Sequence, residues 1–97
     1  MTEDKTFSQL VDGSVEDFKA YCADKDLGYV MSLHNQIVSS YSSAVAIKNK
    51  LLELVKQKGE DSEEANTLKG VYAVLLRLEH KAMACVEIER ERSATVL

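Results

Sequence analysis

Proline and tryptophan are absent from this 97-residue chain, and glycine occurs at only four positions. Without proline, no segment carries the residue that most reliably breaks a helix, so long helices are open to every apolar-periodic stretch. Cysteine is nearly absent too. Cys22 and Cys85 are far apart and have no second thiol or histidine at ligand spacing, which excludes a zinc motif and a disulfide framework. They read as two reduced, partly buried thiols of an intracellular protein. No apolar run approaches the roughly 20 residues a bilayer requires, and the polar start Met1-Thr-Glu-Asp-Lys5 does not resemble a signal peptide. The expectation is a cytoplasmic protein with no membrane partner. Basic residues are also in the minority, 12 against 16 acidic, for a formal charge of −4 that opposes non-specific attraction to nucleic acid.

What is present is apolar periodicity. Two long stretches, 27–58 and 62–92, carry it at helical spacing, and Gly59-Glu60-Asp61 joins them. The first holds Val30, Leu33, Ile37, Tyr41, Ala44, Lys48, Leu51 and Val55 in steps of three and four. The second holds Leu68, Val71, Leu75, Leu78, Ala82 and Cys85 in the strict spacing of a coiled-coil seam. Asp26 is placed to cap the first helix, and Lys56, Lys58 and Gly59 form its stop. Asp61 with Glu64 has the pattern of a capping box for the second. Ahead of the pair, Thr6 opens a short helix over 6–11, and Ser14 with Asp17 opens another over 15–24. Residues 93–97 read as a frayed tail. The predicted fold is therefore a single all-α domain spanning 1–97, a long antiparallel hairpin preceded by two short docking helices.

Folding the hairpin about its link brings Val45 near Leu75, Val38 near Ala82 and Leu52 near Leu68, so apolar meets apolar. It also sets Tyr41 opposite Glu79, within reach of a hydroxyl-to-carboxylate hydrogen bond. A flank remains on each helix. Leu27, Met31, His34 and Val38 run beside the first stripe, and Tyr72, Leu76, Met83 and Val86 beside the second. One partner helix cannot cover faces this wide, and these eight residues are the candidate interface.

Chemistry is thin. His34 and His80 lack the Glu-x-x-His context of a dimetal bundle, no serine sits in a nucleophile elbow, and the glycines are too scattered for a phosphate loop. No catalytic residue, metal ligand or cofactor site is assigned. Lys48, Lys50, Lys56, Lys58 and Lys69 gather toward the link end and are the only candidate phosphate contacts. The tail Thr95-Val96-Leu97 fits a carboxylate-capture pattern only superficially. The leading expectation is a non-enzymatic protein-protein interaction and oligomerisation module, an adaptor, assembly factor or small inhibitor that forms a dimeric helical bundle and presents its flanks to another protein. The alternative is a nucleic-acid-associated regulator that uses the dimeric hairpin as scaffold and the lysine-bearing end as contact.

Overall fold

A computed structural model of the chain describes residues 5–96, and side chains as far as Ser93. Four helices follow in order: α1 Phe7–Asp12, α2 Val15–Cys22, α3 Leu27–Lys58 and α4 Glu63–Val96, with no strand among the described residues. The two long helices pack along each other, and α1 and α2 lie mainly against α4. The body measures 54 × 30 × 17 Å. Its long dimension matches helices of about 32 residues rising about 1.5 Å each.

The caps explain where each helix begins. Thr6 Oγ1 accepts the Gln9 N–H at 3.2 Å while the Gln9 side chain accepts the Thr6 N–H at 2.9 Å, a complete reciprocal box. Ser14 caps α2 by accepting the Asp17 N–H at 3.0 Å. The box expected there does not close, because the aspartate is one methylene shorter than the glutamine that succeeds at α1. Asp26 caps α3 through the Tyr29 N–H at 2.7 Å, as its position predicts.

Helix α1 is shifted by one residue, to Phe7–Asp12 from 6–11, and three further boundaries differ from the sequence reading. Helix α2 ends at Cys22 rather than 24, because the chain turns there: the Lys25 N–H bonds the Cys22 carbonyl, and Arg92 takes carbonyls of the turn. Ser62, not Asp61, caps α4. Its Oγ donates to the Gly59 carbonyl at 2.7 Å and accepts the Ala65 N–H at 3.3 Å, while Glu64 is drawn to Lys58 at 2.8 Å. The Lys58 contact lowers the Glu64 carboxyl from its ordinary value. Helix α4 also continues through Val96, four residues beyond the expected stop at Arg92, since no glycine or proline follows to end it. The carboxyl-terminal pattern Thr95-Val96-Leu97 lies outside the described side chains. At the link, Gly59 has φ 99°, the single position among the described residues whose backbone conformation favours a residue without Cβ.

The core is concentrated in the half of the hairpin away from the link. Val30, Leu33 and Ile37 of α3 meet Leu75, Leu78 and Cys85 of α4, and Leu10, Val11, Phe18 and Cys22 close over them. Towards the link, Leu51, Leu52, Leu54 and Val55 are only half-buried, because α1 and α2 do not reach that far. Cys22 and Cys85 are fully enclosed free thiols. Burial, with a smaller contribution from the neighbouring Cys22, pushes the Cys85 thiol up to about 12, so it stays protonated and chemically inert at neutral pH.

Candidate interaction surface

The surface is built from what the hairpin leaves uncovered. Alternate flanks of α3 and α4 border two grooves on opposite sides of the helix pair. On the first side, Ile37, Val38, Tyr41 and Ser42 face Glu79 and Ala82 across a hollow of about 190 Å³. Tyr41 and Glu79 are brought together as the hairpin geometry predicts, yet no hydrogen bond joins them. Both point outward, and Tyr41 is exposed rather than a member of the buried stripe. On the second side, α1 covers the upper part of the helix pair. Below it a groove of about 550 Å³ opens between Ala44 and Ile47 on α3 and Thr67, Gly70, Val71 and Val74 on α4.

The flanking residues expected from the sequence divide into two kinds. Met31 and Val38 on α3 are about half exposed, and Tyr72, Leu76 and Met83 on α4 are 47%, 53% and 57% exposed. Leu27, His34 and Val86 are half-buried within the chain. His34 has an internal partner that its sequence context does not reveal: its Nδ1 lies 2.9 Å from Glu89 Oε2, a hydrogen bond across α3 and α4. Fifty-five residues separate the two, so only the register of the hairpin brings them together.

One line on α4 collects the exposed flank. Ala65, Lys69, Tyr72, Leu76, Glu79, Met83, Val86 and Arg90 follow one another in alternating steps of four and three, with Ala65 buried, Val86 half-buried and the rest exposed. That is the spacing of a second heptad seam, displaced around the helix from the seam that α3 covers. Its middle stands open to solvent. Ile47 and Val74, also exposed, belong to the opposite groove, which none of the eight candidate interface residues lines.

The lysines expected at the link end do not form one cationic surface. Lys58 is held by Glu64 at 2.8 Å, and Lys56 lies 4.0 Å from Glu53. Lys50 and Lys69 are exposed, and Lys48 is half-buried. Two of the five charges are therefore compensated locally, which weakens the phosphate-contact reading.

Three basic residues outside that set have structural work that periodicity alone conceals. Arg92 reaches back from α4 to the turn after α2, donating Nη2 to the Cys22 carbonyl at 2.7 Å and Nη1 to the Lys25 carbonyl. Lys19 is paired with Glu87 beside it, and these side chains border a cleft of about 300 Å³. Lys81 is almost entirely buried. Removal from water, and secondarily the charge of Arg77, lower its amine from the ordinary value. The signal for it is positional: Lys81, Ala84, Cys85 and Ile88 are spaced to form one face, the face on which α1 and α2 settle.

Among the described residues, no group of three or more His, Cys, Asp and Glu side chains is placed to hold a metal ion, and no helix is long and apolar enough to cross a membrane. No protein-family model, curated protein or solved structure matches the chain.

Proposed function

We propose that this protein is a helical interaction and oligomerisation module that works without chemistry of its own and assembles through the open seam of α4, most simply as a homodimer. The observation that carries this reading is the run Tyr72, Leu76 and Met83, large apolar side chains about half exposed at heptad spacing on a well-packed helix. Single exposed apolar residues are ordinary on any protein surface, but a line of them at coiled-coil spacing fits the side of another helix. Val38 and Tyr41 of α3 border the same side and widen the contact. Four helices around a shared interior would then replace two helices with an unfilled flank. An adaptor, an assembly factor or a small inhibitor would each use such a surface.

Neighbouring leucines provide the test. Leu75 is buried against α3 and Leu76 is exposed on the seam, so charge at the two sites has different consequences. Leu76→Glu is expected to give a folded monomer by sedimentation velocity with an unchanged helical circular dichroism spectrum. Leu75→Glu is expected to lose the helical spectrum itself, because it buries an unpaired carboxylate. A Leu76→Glu protein that sediments like the parent chain removes the seam from the interface.

A further inference from the structure

The seam carries charge as well as apolar surface, and the charge selects an occupant. We infer that the occupant is a second copy of this chain, with its α4 lying antiparallel in one defined register. This deepens the reading above and rests on it. Lys69 and Glu79 sit on the seam line, exposed, and neither has an ion pair among the described residues. Nor does either find an opposite charge three or four positions away on α4. Around Lys69 those positions are Ala65, Asn66, Tyr72 and Ala73. Around Glu79 they are Leu75, Leu76, Ala82 and Met83. Two opposite charges on an apolar seam, both without a partner in their own chain, are complementary to the same seam reversed.

The spacing fixes how it is reversed. When Tyr72 is set against Leu76 of the second copy, Lys69 falls against Glu79 of the second copy, and Met83 falls level with Ala65 of the second copy, which is already buried in its own chain. Two-fold symmetry repeats each of these layers, so exposed Tyr72 and Leu76 meet each other in two layers and the Lys69–Glu79 pairing forms twice. Ala73 then lies close to the symmetry axis, where its small side chain leaves room for the two backbones to approach.

The neighbouring registers fail on the same criterion. A shift of one heptad in one direction sets Glu79 against Leu76 and Lys69 against Val86. A shift in the other sets Glu79 against Ser62 and Lys69 against Tyr72. A register that pairs Glu79 with Arg90 sets Leu76 against Ser93 and keeps only Met83 and Val86 as apolar layers. A charged residue at a core position fixes register and orientation in this way, at some cost in stability.

A charge-reversal cycle on the full chain tests the register. Lys69→Glu places two acids against each other twice, and Glu79→Lys does the same with two bases. Each single variant is expected to weaken dimerisation by about 100-fold in sedimentation equilibrium, given what like-charge juxtaposition costs at an interface. The double variant Lys69→Glu with Glu79→Lys restores both pairings and is expected to return to within about tenfold of the parent affinity, because its layers are the same with signs exchanged. Both sites are exposed, so circular dichroism should show the fold unchanged in all three. If the parent chain dimerises but the double variant remains as weak as the single ones, the register is wrong and the association stands. A parent chain that stays monomeric overturns both.

Discussion

Phe18→Ala is expected to cost about 3–5 kcal/mol and to release the amino-terminal helices from the hairpin. Phe18 is 1% exposed and is one of the largest fully enclosed side chains, placed where α2 meets α4 among Leu10, Val11, Cys22 and Cys85. Helices of six and eight residues have no stability of their own, since isolated helices shorter than about 12–15 residues are marginal in water. Their order depends on what they bury. A cavity at Phe18 therefore unfolds 7–22 before it unfolds the hairpin. Amide hydrogen exchange should show lost protection across α1 and α2, with protection retained between Leu68 and Leu78 of α4. For a domain this size each kcal/mol lost shifts the melting temperature by about 4–8 °C, so the global transition should also fall. Unchanged protection across 7–22 would show that the anchor lies elsewhere.

Arg92→Ala is expected to act on the same docking from the other side. The guanidinium forks onto the carbonyls of Cys22 and Lys25, where the chain leaves α2 and turns toward α3. The Cys22 carbonyl stands at the end of α2, where the macrodipole is negative, and the Lys25 carbonyl lies in the turn just beyond it. Hydrogen bonds to a charged group contribute about 1.5–3 kcal/mol, and loss of the fork should cost about that much in denaturant unfolding. Arg92→Lys should recover only part of it, because an ammonium is a point donor and cannot bridge two carbonyls in a plane. Full recovery with lysine would mean that charge alone, without geometry, supplies the effect.

Docking of the short helices also explains which parts of the fold are legible in the sequence. Helices α3 and α4 are visible because their apolar stripes repeat over about seven turns in α3 and about five in α4, and because Asp26 and Gly59 punctuate them. The register is legible as well: Val38 and Ala82 line one groove with Tyr41 and Glu79, as folding about the link requires. The seat of α1 and α2 is not. Its floor on α4 is Lys81, Ala84, Cys85 and Ile88, a line containing a charge and a small residue that hydrophobic periodicity passes over. Arg92 escapes for a related reason. Its charge matches the exposed helix pairs around it, and only the folded turn supplies the carbonyls it bonds.

The candidate surface was readable in the same uneven way. Tyr72, Leu76 and Met83 are recognisable as a flank because α3 offers one helix width and α4 carries more apolar width than that. Leu27, His34 and Val86 share the spacing but turn inward enough to be half-buried, and the bond from His34 to Glu89 depends on the crossing of two helices. The lysines near the link form a cluster in sequence because two stretches end there. Their acidic neighbours, Glu53 and Glu64, come with them for the same reason.

The measurement that bears most directly on the proposed assembly is the molar mass of the unmodified chain in solution, taken by light scattering over a concentration series. An open heptad seam on α4 predicts a mass that approaches twice the 10.8 kDa of one chain as concentration rises. A mass that stays at 10.8 kDa throughout, with the helical spectrum intact, would mean that Tyr72, Leu76 and Met83 rest in water without a second copy.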